Sequence, residues 1–296
     1  MSLLTLGPVL FNWAPERLRD FYFRIADEAE VDTVCVGEVV CSKRTPFFAP
    51  FLPEVIDRLA AAGKEVVLSS LALIMTEREL EQARDLAQAE GWLIEANDMS
   101  VAAMLAGRPF AVGPLVNVYN EGTLGYLEGL GATRVALPAE LTAEVIGIIA
   151  GAATAEIEVQ AFGRLPLAVS ARCYAARARN LSKDGCQYVC ADDPDGMTVD
   201  TLDHEAFLAV NGTQTMSWHY MNLAADLARL EGLGVRRFRL WPQNVDMVAV
   251  AQVFRAVSAG AMEPAAADAR LAALCPDAEF ANGYLHGREG HLFVDD

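Results

Sequence analysis

The sequence predicts an α/β fold, a (β/α)8 TIM-barrel-like architecture with a cysteine-bearing insertion after the seventh strand. Three observations predict it. Short apolar runs alternate with segments of helical periodicity, the pair recurs eight times along the chain, and most runs are continuously apolar, as strands buried on both faces of a parallel sheet require. A doubly wound open sheet is the alternative. No Gly-x-Gly-x-x-Gly follows the first strand, which counts against the dinucleotide-binding form of that alternative.

Taken in order, the first strand falls at Leu3–Leu10. The others fall at Thr33–Gly37, Glu65–Ser70, Trp92–Ala96, Phe110–Gly113, Arg134–Pro138, Ile157–Phe162 and Arg236–Trp241. Helices are expected between them at Glu16–Ala29, Pro53–Ala62, Glu77–Glu90, Asp98–Ala106, Glu121–Leu130, Thr142–Ala150, Tyr220–Glu231 and Val245–Ser258. Gly63, Gly91 and Gly131 stand where helices stop. The alanine-rich stretch after Gly260 predicts a short surface helix. Between about Leu165 and Met216 the rhythm breaks. DDPDG (Asp192–Gly196) and Asn211–Thr213 read there as turns, and long excursions of this kind usually carry function. No repeat or linker divides the chain, so one barrel-like domain is expected over residues 1–296, with the insertion at about 165–216.

The chain has 296 residues, 53% of them hydrophobic, and a net charge of −17. Such a surface repels phosphate backbones and anionic membranes, so no nucleic-acid partner is expected. The apolar N-terminus lacks a basic n-region and a small-residue cleavage site, and the longest apolar stretch, near Val145–Ala155, is too short and glycine-interrupted to span a bilayer. A cytoplasmic protein, not integral to a membrane, is expected.

In a reducing compartment, clustered cysteines favour metal binding or catalysis over disulfides. Three of six cysteines lie close together, Cys173, Cys186 and Cys190, and a fourth, Cys41, follows the second strand in GEVVCSKR. In a barrel both segments belong to the C-terminal rim, where active sites assemble. Four thiolates there could hold a 4Fe-4S cluster or a zinc ion, or remain reduced buried thiols. Cys35, in VDTVCVG, reads as a core thiol, and Cys275 has no clustered partner. Lys43, Arg44, Arg172, Arg177, Arg179 and Lys183 flank the cluster candidates and could offset thiolate charge. Among polar residues at strand ends, Glu38 and Glu95 are acid/base candidates and Asn120 a third mouth residue, although capping would also account for Asn120 and Asp98. The four histidines form no metal spacing, and His219 is expected at a helix start. Neither a G-x-S-x-G nor a P-loop occurs.

At these same residues the chain resembles the collagenase-like peptidase superfamily. The resemblance is carried by GEVVCSKR (Gly37–Arg44), VLSSLALI (Val67–Ile74), IEANDMS (Ile94–Ser100), NVYN (Asn117–Asn120), LPAEL (Leu137–Leu141), GRLPLAVSARCYAAR (Gly163–Arg177) and NGTQTMS (Asn211–Ser217), and it runs to about Gly260. Within the superfamily the chain is most similar to accessory proteins of ubiquinone biosynthesis. That likeness implies a 4Fe-4S cluster on Cys41, Cys173, Cys186 and Cys190, and a heterodimer with the related cluster protein UbiU. It also implies work alongside a UbiT-like lipid-binding protein, oxygen-independent hydroxylation of ubiquinone precursors, and a prephenate-type oxygen donor. Other readings stay open: a peptidase, an RNA-base hydroxylase, or a non-catalytic scaffold stabilised by its cluster. No protease motif in the chain supports the peptidase label.

Overall fold

The computed structural model describes residues 2–295; residues 1 and 296, the ends of the expected domain, lie outside the described residues. Its strands are β1 (Leu3–Leu6), β2 (Thr33–Val36), β3 (Glu65–Ser69), β4 (Leu93–Ala96), β5 (Phe110–Val112), β6 (Ala132–Ala136), β7 (Glu156–Val169), β8 (Met197–Asp200), β9 (Ala206–Asn211), β10 (Gln214–Asn222), β11 (Arg237–Leu240) and β12 (Phe280–Ala281). Helices are α1 (Pro15–Glu28), α2 (Thr45–Phe48), α3 (Leu52–Ala61), α4 (Glu77–Ala87), α5 (Met99–Met104), α6 (Glu121–Leu130), α7 (Ala143–Ala152), α8 (Tyr174–Ala178), α9 (Leu227–Gly232), α10 (Met247–Ser258) and α11 (Pro264–Leu274).

Strands β1 to β7 pair in sequence and in parallel, and β11 pairs with both β7 and β1, so eight parallel strands close into a barrel. The strands are short and buried because helices cover their outer faces and side chains fill the interior. Several helices start on side-chain caps. Thr76 and Glu79 form a reciprocal capping box, Asp98 caps Ser100 and Asn120 caps Thr123. No helix is long and apolar enough to cross a membrane among the described residues.

Two expectations are corrected. Tyr220–Glu231 is not one helix: Tyr220–Asn222 end strand β10, and only Leu227–Gly232 are helical. Tyr220 and Met221 are held by antiparallel pairing with Arg164 and Gly163 of β7 and by parallel pairing with β12, so tertiary pairing overrides the local pattern. His219 consequently sits in a strand, 2.9 Å from Glu279, and not at a helix start. The alanine-rich tail does form a helix, α11, but Ala267 and Leu271 are fully buried, so it covers core as well as facing solvent.

The long excursion is a continuation of the barrel wall. β7 runs on to Val169, β10 returns antiparallel beside it, and β9 and β8 extend the same sheet as a meander.

The barrel interior is charged. Arg239 of β11 reaches Glu158 on the adjacent β7 and Glu95 on β4, and all three side chains are at most 2% exposed. Thr5 donates to Glu158 at 3.0 Å, and Ser69 donates to Glu95 at 3.0 Å. A second layer joins Arg134 and Arg237 to Glu65 and Glu156. Burial opposes the Glu95 charge, yet Arg239 and its other donors outweigh burial and hold its pKa below the ordinary value of 4.5. This contribution to stability is therefore complete above that value and lost as pH falls through the depressed one. Arg239→Met strands two buried carboxylates and should lower stability by about 3–5 kcal/mol at neutral pH. Urea unfolding should show that deficit narrowing as pH falls below 4.5 toward the depressed Glu95 value, where the wild type loses this ion pair.

Candidate functional site

At the C-terminal end of the barrel, the loop after β2 meets the segment that follows β7. Gly37 starts the β2 loop with φ of +134°, and a Cβ there would lie 2.5 Å from the Ser69 carbonyl. Glu38 Oε1 then accepts hydrogen bonds from the backbone N–H of Val40 (2.8 Å) and Cys41 (2.9 Å), which bends the chain and aims Cys41 at the rim. Burial pushes the Glu38 carboxyl above its ordinary value, and Arg44 with the two N–H donors only partly offsets it.

Arg44 is 5% exposed and ties three segments together. Its Nη1 donates to the Leu10 carbonyl beyond β1 at 3.1 Å, and its Nη2 to Asn211 Oδ1 at 2.7 Å. Asn211 in turn donates to the carbonyls of Cys190 (2.9 Å) and Asp193 (2.8 Å). Two further bonds join the loops: Thr213 Oγ1 to the Val40 carbonyl at 2.9 Å, and Lys43 Nζ to the Lys183 carbonyl at 2.7 Å.

These ties bring the two cysteine segments together. Cys41, Cys173, Cys186 and Cys190 line one pocket, with Lys43, Arg44 and Lys183 also on its wall. Cys173 stands at the N-terminus of α8 and is buried, as is Cys190, in a small apolar cluster with Ala175 and Ala176. The chain between Cys186 and Cys190 turns sharply, with Gln187 and Tyr188 both at positive φ. Asn12 Nδ2 donates to Cys190 Sγ at 3.2 Å. Burial raises the Cys41 and Cys173 thiol pKa values above the ordinary 9.0. Burial works against the Arg44 charge, but Glu38, Cys190 and Cys41 together raise its pKa. All six cysteines are free of disulfides. Among the described residues, no group of three or more His, Cys, Asp or Glu side chains is set to hold a metal ion as it stands.

Other residues singled out in the sequence lie elsewhere. Cys35 is inside the barrel, 4.0 Å from Arg239, where burial pushes its thiol well up. Cys275 is buried with its thiol pushed up to about 11, by burial first and then Asp195. Glu95 is in the barrel core, ion-paired with Arg239. Asn120 is exposed and caps α6 through Thr123 at 2.9 Å. Arg172 and Arg177 face solvent, and Arg179 pairs with Asp193 at 3.2 Å. Asn12 was missed: a single asparagine after an apolar strand carries no mark of a contact made far along the chain.

Fold and site together define a closed (β/α)8-barrel protein whose rim carries a pocket of four free thiols flanked by cations. The chain belongs to peptidase family U32, whose family model matches residues 16–292. Among solved structures, it is similar to tryptophan synthase from M. tuberculosis (ligand-free form, a TrpA mutant), with 12% identity and a TM-score of 0.40, over 92% of this chain and 90% of that one.

Gly212 adjoins the thiol pocket at a φ of +72°, and a Cβ there would meet Arg44 Nη2 at 2.4 Å. Gly212→Ala should cost about 1–3 kcal/mol through backbone strain and displacement of Arg44, read as a lowered thermal midpoint.

Proposed function

We propose that this U32 family member is a UbiV-type subunit of an oxygen-independent ubiquinone-precursor hydroxylase, with a 4Fe-4S cluster held by Cys41, Cys173, Cys186 and Cys190. In this reading it pairs with UbiU, works beside a UbiT-like lipid-binding protein, and draws oxygen from a prephenate-type donor. The observation that supports it most is that cysteines from two segments far apart in sequence line one pocket.

The donor chemistry fits the group. All four thiols are free, Lys43, Arg44 and Lys183 share the wall and offset thiolate charge, and no carboxylate lines the pocket to compete. A cluster takes each thiolate at a separate iron, whereas one tetrahedral ion needs its four sulfurs about 2.3 Å from a single centre, an arrangement not found among the described residues. When bound, a cluster of this kind supplies one-electron transfer.

The chain's own residues supply the setting. The Cys173–Cys190 apolar cluster limits water, and the Asn12 amide places a hydrogen bond on the Cys190 sulfur, a contact that raises reduction potential in thiolate sites. Arg44 places a buried positive charge in the field of Cys41 and Cys190. The peptidase reading has less support, because the sequence carries neither a nucleophile-elbow nor a zinc-hydrolase motif.

Anaerobic purification followed by iron and sulfide analysis tests the reading. The wild type should be coloured and carry about four irons and four sulfides per chain. Cys41→Ala should lose both, whereas Cys35→Ala and Cys275→Ala should keep them. A colourless protein containing one zinc, or none, would overturn the proposal.

A further inference from the structure

A second cavity, of about 310 Å3, adjoins the thiol pocket at the same end of the barrel. It lies among the loops after β1, β2 and β3, the start of α1 and the face of α4 that carries Glu79, Ala83 and Leu86. The cavity is about twice the size of the ~150 Å3 engineered cavity that admits benzene, and at the lower end of the range for small-molecule sites. Five aromatic side chains line its wall: Phe11, Trp13, Tyr22, Phe47 and Phe48. Phe11 and Trp13 are stacked nearly parallel, at an interplanar angle of 10°.

The cavity is joined to the thiol pocket by shared residues. Arg44 lines both. Phe47 of the cavity meets Tyr188 of the thiol pocket edge to face, 4.7 Å between ring centroids. Asn12, on the cavity wall, is the residue that donates to Cys190 Sγ.

Its polar groups are mostly committed. Glu79 closes the α4 capping box and accepts from Ser42 at 2.6 Å. Glu38 spends Oε1 on the N–H groups of Val40 and Cys41, but its Oε2 has no hydrogen-bond partner among the described residues. Arg44 Nε is a buried donor without a partner. An apolar, ring-lined space with one carboxylate oxygen ready to accept matches a hydroxyl, which can donate to it. An anionic ligand would instead face Glu38, Glu79 and Asp85.

We infer that this cavity binds a neutral aromatic ring bearing a hydroxyl, with the ring among Phe11, Trp13 and Phe48 and the hydroxyl at Glu38. The inference rests on the function proposed above only in taking the ring as the molecule to be hydroxylated; the binding chemistry stands on the cavity itself. It locates the ring in this chain, beside the thiols, and makes Glu38 the residue that fixes its orientation. Any tail on the ring has to lie outside, because the space admits little beyond one substituted ring.

The test is calorimetric titration of the full chain, purified anaerobically, with three probes: 4-propylphenol, propylbenzene and 4-propylbenzoate. One saturable site should take the phenol, with the hydrocarbon and the anion each about tenfold weaker or more. Glu38→Gln keeps an acceptor for the Val40 and Cys41 amides but replaces the charged acceptor facing the hydroxyl with an N–H2 that can only donate, and should cut the preference for the phenol over the hydrocarbon about threefold or more. Leu18→Trp, which adds an indole at the cavity wall, should abolish binding of both; unfolding curves like that of the wild type establish that each variant is folded. Equal affinity for all three probes, preference for the anion, or a phenol preference undiminished by Glu38→Gln would overturn the inference. Iron-free protein that binds the phenol would remove the proposed function and leave this site standing, and iron-bearing protein that ignores the phenol would do the reverse.

Discussion

The closed barrel depends on how it accommodates charge where no water reaches. Arg239 projects from β11 and is answered by Glu158 on one neighbouring strand and Glu95 across the interior, with Thr5 and Ser69 completing the network. Each of these groups alone would be costly to bury. Together they pin strands β1, β3, β4, β7 and β11 to one register around one guanidinium. An apolar interior of similar volume could equal it in stability, but it would not single out one angular arrangement of strands so sharply. The rim inherits its geometry from that arrangement, because every loop of the site starts at a strand end.

Above the barrel the organising group is again a buried arginine. Arg44 binds the backbone beyond β1, the end of β9 and, through charge, Glu38. Its neighbours are mainly carbonyl oxygens and thiols, so it serves as a structural clip and as a buried positive charge beside Cys41 and Cys190. The same side chain forms part of two cavities, so whatever fills one is felt by the wall of the other.

The barrel was legible because its signal is local. Each of the eight expected parallel strands lies within a few residues of an observed one, since a strand buried on both faces must be apolar throughout. β8, β9 and the early part of β10 were not legible, because they form a half-exposed meander whose stability comes from pairing with the overrun of β7, a partner no short window contains. Tyr220–Asn222 blend into the following helical pattern for the same reason. Within the site, the cysteines are conspicuous by chemistry alone, but their gathering into one pocket is made by Arg44, Asn211 and Thr213 reaching the backbone carbonyls of Leu10, Cys190 and Val40. A bond to a carbonyl leaves no trace in the residue identity of its acceptor.

The overrun of β7 has a consequence for the order of events when the chain folds. Cys173, Cys186 and Cys190 lie on a segment whose ends are drawn together by the β7–β10 hairpin, a contact of modest sequence separation. Cys41 arrives only when β1 and β2 are seated and β11 has shut the circle, which is a far longer loop to close. Three thiols are thus assembled early and the fourth last. Any group that requires all four becomes a chemical timestamp on barrel closure: a chain that has failed to close cannot retain it.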